Sequence, residues 1–145
     1  MPDPLTIATC VVSLADVALT ASTKIRTFLR DFKDSHRDIE RFWHDLQVLI
    51  SLLSRIRAYH LDLRSSSSEQ DDNSEIVRIL ESCTNDLDIV QNEIDKVKGR
   101  LRNNRVKDWT SRVRWILNKK KVKDAVQRLE NNKTSLQIAL SLIGR

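Results

Sequence analysis

Three histidines, two cysteines and 20 Asp/Glu are the residues of this 145-residue chain with the chemistry for catalysis or metal binding. Their spacing supports neither use. His36, His44 and His60 form no HExxH motif and no i, i+4 pair, and neither Cys10 nor Cys83 stands in a CxxC. His60 falls on an apolar stripe, the place of a packed core histidine. Asp86, Asp88, Glu93 and Asp95 fall on what reads as a polar, solvated helix face rather than as an acid/base pair. The two glycines, at 99 and 144, cannot build a Rossmann or Walker loop, which needs clustered glycines for close phosphate approach. A non-enzyme with no metal and no cofactor is the expectation.

Charge is the more informative chemistry. The chain is +5 overall, but residues 1–98 hold 12 Lys/Arg against 17 Asp/Glu and residues 99–145 hold 13 against 3. The first part is therefore −5 and the last third +10. Arg105, Lys107, Arg112, Arg114, Lys119, Lys120, Lys121 and Lys123 interleave with Trp109 and Trp115. Each cation near an anionic leaflet contributes about 1 kcal/mol, and Trp favours the interfacial zone, so docking on a membrane surface is physically reasonable. A solvated helix end with Trp109 in the core is the plainer alternative. Nucleic acid is attracted by the same charge, but no recognition helix or aromatic platform beyond the two Trp supports it as a partner.

The opposite end of the sequence is nearly free of charge. Residues 4–23 match the length of about 20 residues that crosses a bilayer, with Asp16 as their one charge. Asp near mid-membrane costs about 3 kcal/mol, which argues against a permanent transmembrane helix. An oligomer could bypass that cost with Ser13, Asp16 and Thr20 facing a wet lumen. A small-residue helix packed in a bundle centre is the preferred reading of the segment.

The elements that position these residues follow from periodicity. Asp3-Pro4 is a helix start, an acceptor at the N-cap before a Pro at N1. Ile7, Val11, Leu14, Ala18, Ala21, Ile25, Phe28 and Phe32 then recur by threes and fours, with Leu5, Ala8, Val12, Ala15 and Leu19 as a second stripe. Ser35 and Asp38 resemble a capping box ahead of Ile39, Phe42, Leu46, Leu49, Leu53, Ile56 and Leu63. Residues 64–74, rich in Ser and Asp, offer nothing to bury and read as a flexible loop. A third series runs from Ile76 to Leu101. A fourth begins at Val106, loses phase at Asn118 to Lys121, and restarts at Val122.

The expected fold is all-α: an up-and-down antiparallel four-helix bundle with a short extra helix before the last long one, forming one domain over residues 1–145. Cys10 and Cys83 both lie among apolar residues, as reduced, buried thiols do, and no signal or transit pattern is evident. A cytoplasmic protein is expected.

Asp3-Pro4-Leu5-Thr6-Ile7-Ala8 with Val11-Val12-Ser13-Leu14, and Arg114 to Val122 followed by Leu129 to Leu140, resemble the two ends of fungal N-terminal domains found ahead of STAND-type NTPase modules and ankyrin repeats. The middle helices resemble the family in pattern. The resemblance implies a HeLo-like bundle, related to fungal cell-death and incompatibility domains whose first helix targets or permeabilises membrane once a partner domain oligomerises. Carried onto this sequence, Leu5, Ile7, Val11, Val12 and Leu14 are the membrane-entering residues. No NTPase module, repeat or amyloid motif accompanies them here, and similar domains also occur in proteins of fungal secondary-metabolite clusters.

Two functions are therefore expected to compete. One is a signalling effector that self-associates when activated, is recruited to the plasma membrane and engages its anionic lipids through the first helix and the basic segment, under a regulatory domain. The other is an adaptor that pairs with a helical partner protein and ignores lipid.

Overall fold

The computed structural model describes residues 4–63, 73–100 and 106–143, all but a few of them helical, and no strand occurs among them. Four long helices, α1 (Pro4–Arg30), α2 (Arg37–Leu63), α3 (Asn73–Arg100) and α5 (Lys120–Ile143), are joined by one short helix, α4 (Val106–Asn118). This is the expected all-α plan, including the extra helix before the last. The break between α4 and α5 falls at Lys119, whose N–H reaches back to the Ile116 carbonyl (3.1 Å) and whose carbonyl accepts from Lys123 (2.8 Å).

Side-chain contacts fix the directions of the helices. Arg26 donates to Gln47 (2.6 Å) and Arg57 pairs with Asp16, so α1 and α2 are antiparallel. Lys121 meets Glu93 and Arg128 meets Asp86, so α3 and α5 are antiparallel. Lys98 lies over the Phe28 ring, 5.1 Å from its centroid, which sets α3 parallel to α1. Consecutive long helices thus alternate in direction, but sequence neighbours are not all spatial neighbours. Among the described residues the backbones of α2 and α3 do not approach each other closely, and neither do those of α1 and α5. Each pair sits across the diagonal of the bundle, around one apolar core drawn from all five helices.

Several local expectations shift. The buried row of α1 is Val11, Ala15, Ala18, Ser22, Ile25 and Leu29; Leu14, Ala21 and Phe28 of the expected stripe are half-buried at its edge. The face turns because α1 lies between α2 and α3 and must serve both. Phe32 is buried from the turn after α1 rather than from the helix. The cap of α2 is His36, one residue after Ser35: its Nδ1 accepts the Asp38 N–H (3.2 Å) and its carbonyl the Glu40 N–H (3.0 Å). Asn73 and Ser74 belong to α3, whereas the rest of the expected 64–74 loop lies outside the described residues. Cys10 is exposed, so only Cys83 is the buried thiol expected of both.

Candidate functional site

The basic segment folds into a corner where α4 meets α5 against the C-terminal part of α3. Its organiser is a carboxylate that the sequence reading placed on a solvated face. Glu93 is only 1% exposed, and three lysines converge on it: Lys119 on Oε2 at 2.7 Å, and Lys121 and Lys96 on Oε1 at 2.5 Å and 3.2 Å. The hydrogen bonds from Lys119 and Lys121, with a smaller one from Lys96, outweigh its burial and hold its pKa at about 2. Lys119 also lies 4.2 Å above the centroid of Trp115, an arrangement that favours a cation through the ring's quadrupole.

The expected contact residues therefore divide. Lys119 and Lys121 are bound to Glu93. Arg112, Arg114, Lys120 and Lys123 are exposed, and with them Trp115, 49% exposed. Asn118 donates to the Arg114 carbonyl (2.8 Å), ending α4 with a side-chain cap. Arg105 and the side chains of Lys107 and Trp109 lie outside the described residues. What remains is a cationic corner with an aromatic ring at its rim, suited to an anionic surface.

Asp86, one heptad before Glu93, is likewise buried rather than solvated, 2% exposed. Its Oδ1 accepts from Arg128 Nε (2.9 Å) and its Oδ2 has no partner. Burial outweighs Arg128 and raises its pKa. Burial, and then Asp86 itself, push the nearby Cys83 thiol up to about 12, the opposite of an activated nucleophile. A signal for both carboxylates was present in the sequence: Ile79, Asp86 and Glu93 are seven apart, as are their partners Lys121 and Arg128 on α5. His60 is buried as expected, its Nδ1 donating to the Ile56 carbonyl (2.9 Å).

The first helix presents a different picture. Val11 and Val12 are buried and Leu14 half-buried, so these three of the expected membrane-entering residues are core residues in this state. The side chains of Leu5 and Ile7 lie outside the described ones. Ser13, Asp16 and Thr20 share the outer face, with the Thr20 hydroxyl donating to the Asp16 carbonyl (2.9 Å) and the Asp16 carboxylate paired with Arg57. Among the described residues no helix is long and apolar enough to cross a membrane.

The structure also separates the two candidate regions. Because α1 runs parallel to α3, its C-terminal end, at Phe28, is the part beside Lys98 and the basic corner. Val11 lies roughly 25 Å further along the helix at 1.5 Å per residue. The first turns of α1 and the corner face opposite ends of the bundle.

Residues 2–144 match a family model described as pigment biosynthesis cluster protein PigL N-terminal. No curated protein and no solved structure gives a significant match to the chain.

Proposed function

We propose that this chain, which belongs to the family of pigment biosynthesis cluster protein PigL N-terminal domains, is a non-enzymatic signalling bundle that docks on anionic membrane through its α4–α5 corner. The observation that carries this reading is the division of the corner's cations. Lys119 and Lys121 fix the corner's shape through Glu93, and Arg112, Arg114, Lys120, Lys123 and Trp115 are left exposed on α4 and α5. Four outward cations at about 1 kcal/mol each amount to roughly a thousandfold in affinity for an anionic leaflet. The protein is then cytoplasmic and recruited to the plasma membrane.

The resemblance to HeLo-like STAND N-terminal domains adds a second step, in which an oligomer permeabilises the membrane in fungal cell death. The closed bundle cannot take that step, since Val11 and Val12 are in its core. Docking precedes release of α1, and the two use opposite ends of the molecule.

Co-sedimentation with vesicles of phosphatidylcholine, with and without phosphatidylserine, tests docking. Binding is expected only with phosphatidylserine, weakening as salt rises. Combining Arg112→Glu, Arg114→Glu, Lys120→Glu and Lys123→Glu is expected to abolish it while the melting temperature stays within about 3 °C, since exposed substitutions cost little. Equal binding to both vesicles, or binding untouched by the four reversals, sinks the docking step. Dye leakage under forced oligomerisation tests the second step separately.

A further inference from the structure

Two helices close the bundle from opposite sides. Both α1 and α5 pack against α2 and α3, whose own backbones do not approach each other closely. Whichever of the two leaves first decides how the bundle opens. Their buried apolar rows are similar: Val11, Ala15, Ala18, Ile25 and Leu29 on α1, Val122, Ala125, Leu129, Leu136 and Leu140 on α5. The flanks favour α1, where Leu14, Leu19, Ala21 and Phe28 are half-buried against the core, while α5 adds Val126 and Ala139.

The remaining hold on α5 is ionic. Lys119 and Lys121 reach Glu93, Arg128 reaches Asp86, and Lys133 reaches Asp45 of α2 (3.2 Å). Glu93 and Asp86, the two buried carboxylates among the described residues, thus both sit at this seam. They act in opposite senses. Three lysines compensate Glu93 for its lost hydration, whereas one oxygen of Asp86 has no partner and that carboxylate is left short. The row of α1, by contrast, buries a single polar side chain, the neutral Ser22, and its ion pair Asp16–Arg57 is about half exposed already.

This difference decides which helix a ligand can move. A ligand shifts an equilibrium only by binding the two states unequally. An anionic surface gains nothing when α1 leaves, because the seam of α1 frees no cluster of cations. When α5 leaves α3, Lys119, Lys121 and Arg128 lose their carboxylates and become available together. We infer that the bundle opens at the α3–α5 seam, with α5 swinging from α3 while α1, α2 and α3 stay together, and with Glu93 and its lysines as the latch. In the docking proposed above, on which this one clause rests, an anionic leaflet competes with Glu93 for Lys119 and Lys121 and favours the open form. Opening also uncovers Cys83, fully buried on α3 and bonded to Asn132 of α5, so the chain carries its own probe of the seam.

Maleimide labelling of Cys83 in a Cys10→Ser background, with hydrogen exchange of the full chain, tests the inference. Without lipid, protection over residues 122–136 of α5 is expected to be at least about tenfold lower than over residues 11–25 of α1. Glu93→Gln leaves the lysines without their carboxylate and is expected to speed labelling of Cys83 at least about tenfold. Vesicles containing phosphatidylserine are expected to speed it by a similar factor while α1 stays protected, and vesicles of phosphatidylcholine alone to leave it unchanged. Equal protection in α1 and α5, or lower protection in α1, overturns the inference. So does labelling that is indifferent to Glu93→Gln, or binding to phosphatidylserine with Cys83 as protected as before. A chain that fails to bind these vesicles refutes the docking reading instead, and the lipid-free measurements still decide the seam.

Discussion

The two ends of the bundle are made of the same kind of helix and treat polarity in opposite ways. At the corner end, three lysines are drawn onto one buried carboxylate and four more cations face outward. At the other end, α1 from Thr9 to Thr23 carries one charged residue, Asp16, and α5 from Thr134 to Leu142 carries none. That end is not free of charge, since Arg57 of α2 and the Glu75–Arg78 pair of α3 lie there, but these charges are paired. The proposed docking and the proposed release of α1 involve different ends, so variants can be chosen that touch one and spare the other.

The largest expected effect comes from breaking the buried seam of α1. Ala15 is fully buried in α1, and Ala15→Asp forces an unpaired carboxylate into the core at a cost of about 3–5 kcal/mol. For a chain of this size the melting temperature falls by roughly 10 °C or more. Circular dichroism measures the fall, and limited proteolysis is expected to cut α1 first. If leakage arises from α1, this variant leaks vesicles more readily than the parent. Melting at the parent's temperature shows instead that the seam of α1 is loose and that the ends do not differ as argued.

An intermediate effect separates the two buried carboxylates of α3. The pKa of Glu93 is lowered from 4.5 to about 2, so its contribution is present above pH 4.5 and is lost as the pH falls toward 2. Glu93→Gln is expected to cost about 2 kcal/mol at pH 7, or roughly 5 °C, and nothing near pH 2. Asp86 has the opposite sign. Its pKa is raised by burial above 3.8, so its contribution is present below that value and is lost as the pH rises. Asp86→Asn keeps an acceptor for Arg128 and is expected not to lower the melting temperature at pH 7. Melting curves of both variants from pH 2 to pH 7, taken together, decide the signs; a like pH dependence for the two refutes the contrast.

What the sequence could show follows from the same physics. Periods of three and four are local, and they located four long helices, the short fourth one and the break near Lys119. The order of packing is not local: α2 and α3 are connected yet lie across the diagonal. That arrangement turned the face of α1, brought Ser22 and Leu29 into the core and left Cys10 outside. At the candidate site, the basic segment and Trp115 were legible as residue types. Which cations face outward was not, because it depends on Glu93, and a carboxylate reads as solvated until the lysines of another helix are known to face it.

The smallest expected effect concerns the outer face of α1. The sequence places Asp16 toward a wet lumen in an oligomer, and in the closed bundle it pairs with Arg57 of α2. Both side chains are about half exposed, and pairs of that kind contribute about 0–1 kcal/mol. A double-mutant cycle of Asp16→Asn and Arg57→Gln is therefore expected to give a coupling below about 1 kcal/mol, shrinking in high salt. A coupling of that size cannot hold α1 closed against the burial of Val11, Ala15, Ala18 and Ile25. Asp16 would then act on permeabilisation only after α1 leaves the bundle, when the carboxylate needs a wet environment. In that case Asp16→Asn leaves vesicle docking and melting unchanged and alters leakage alone. A coupling well above 1 kcal/mol reverses the order and makes the ion pair a latch on α1.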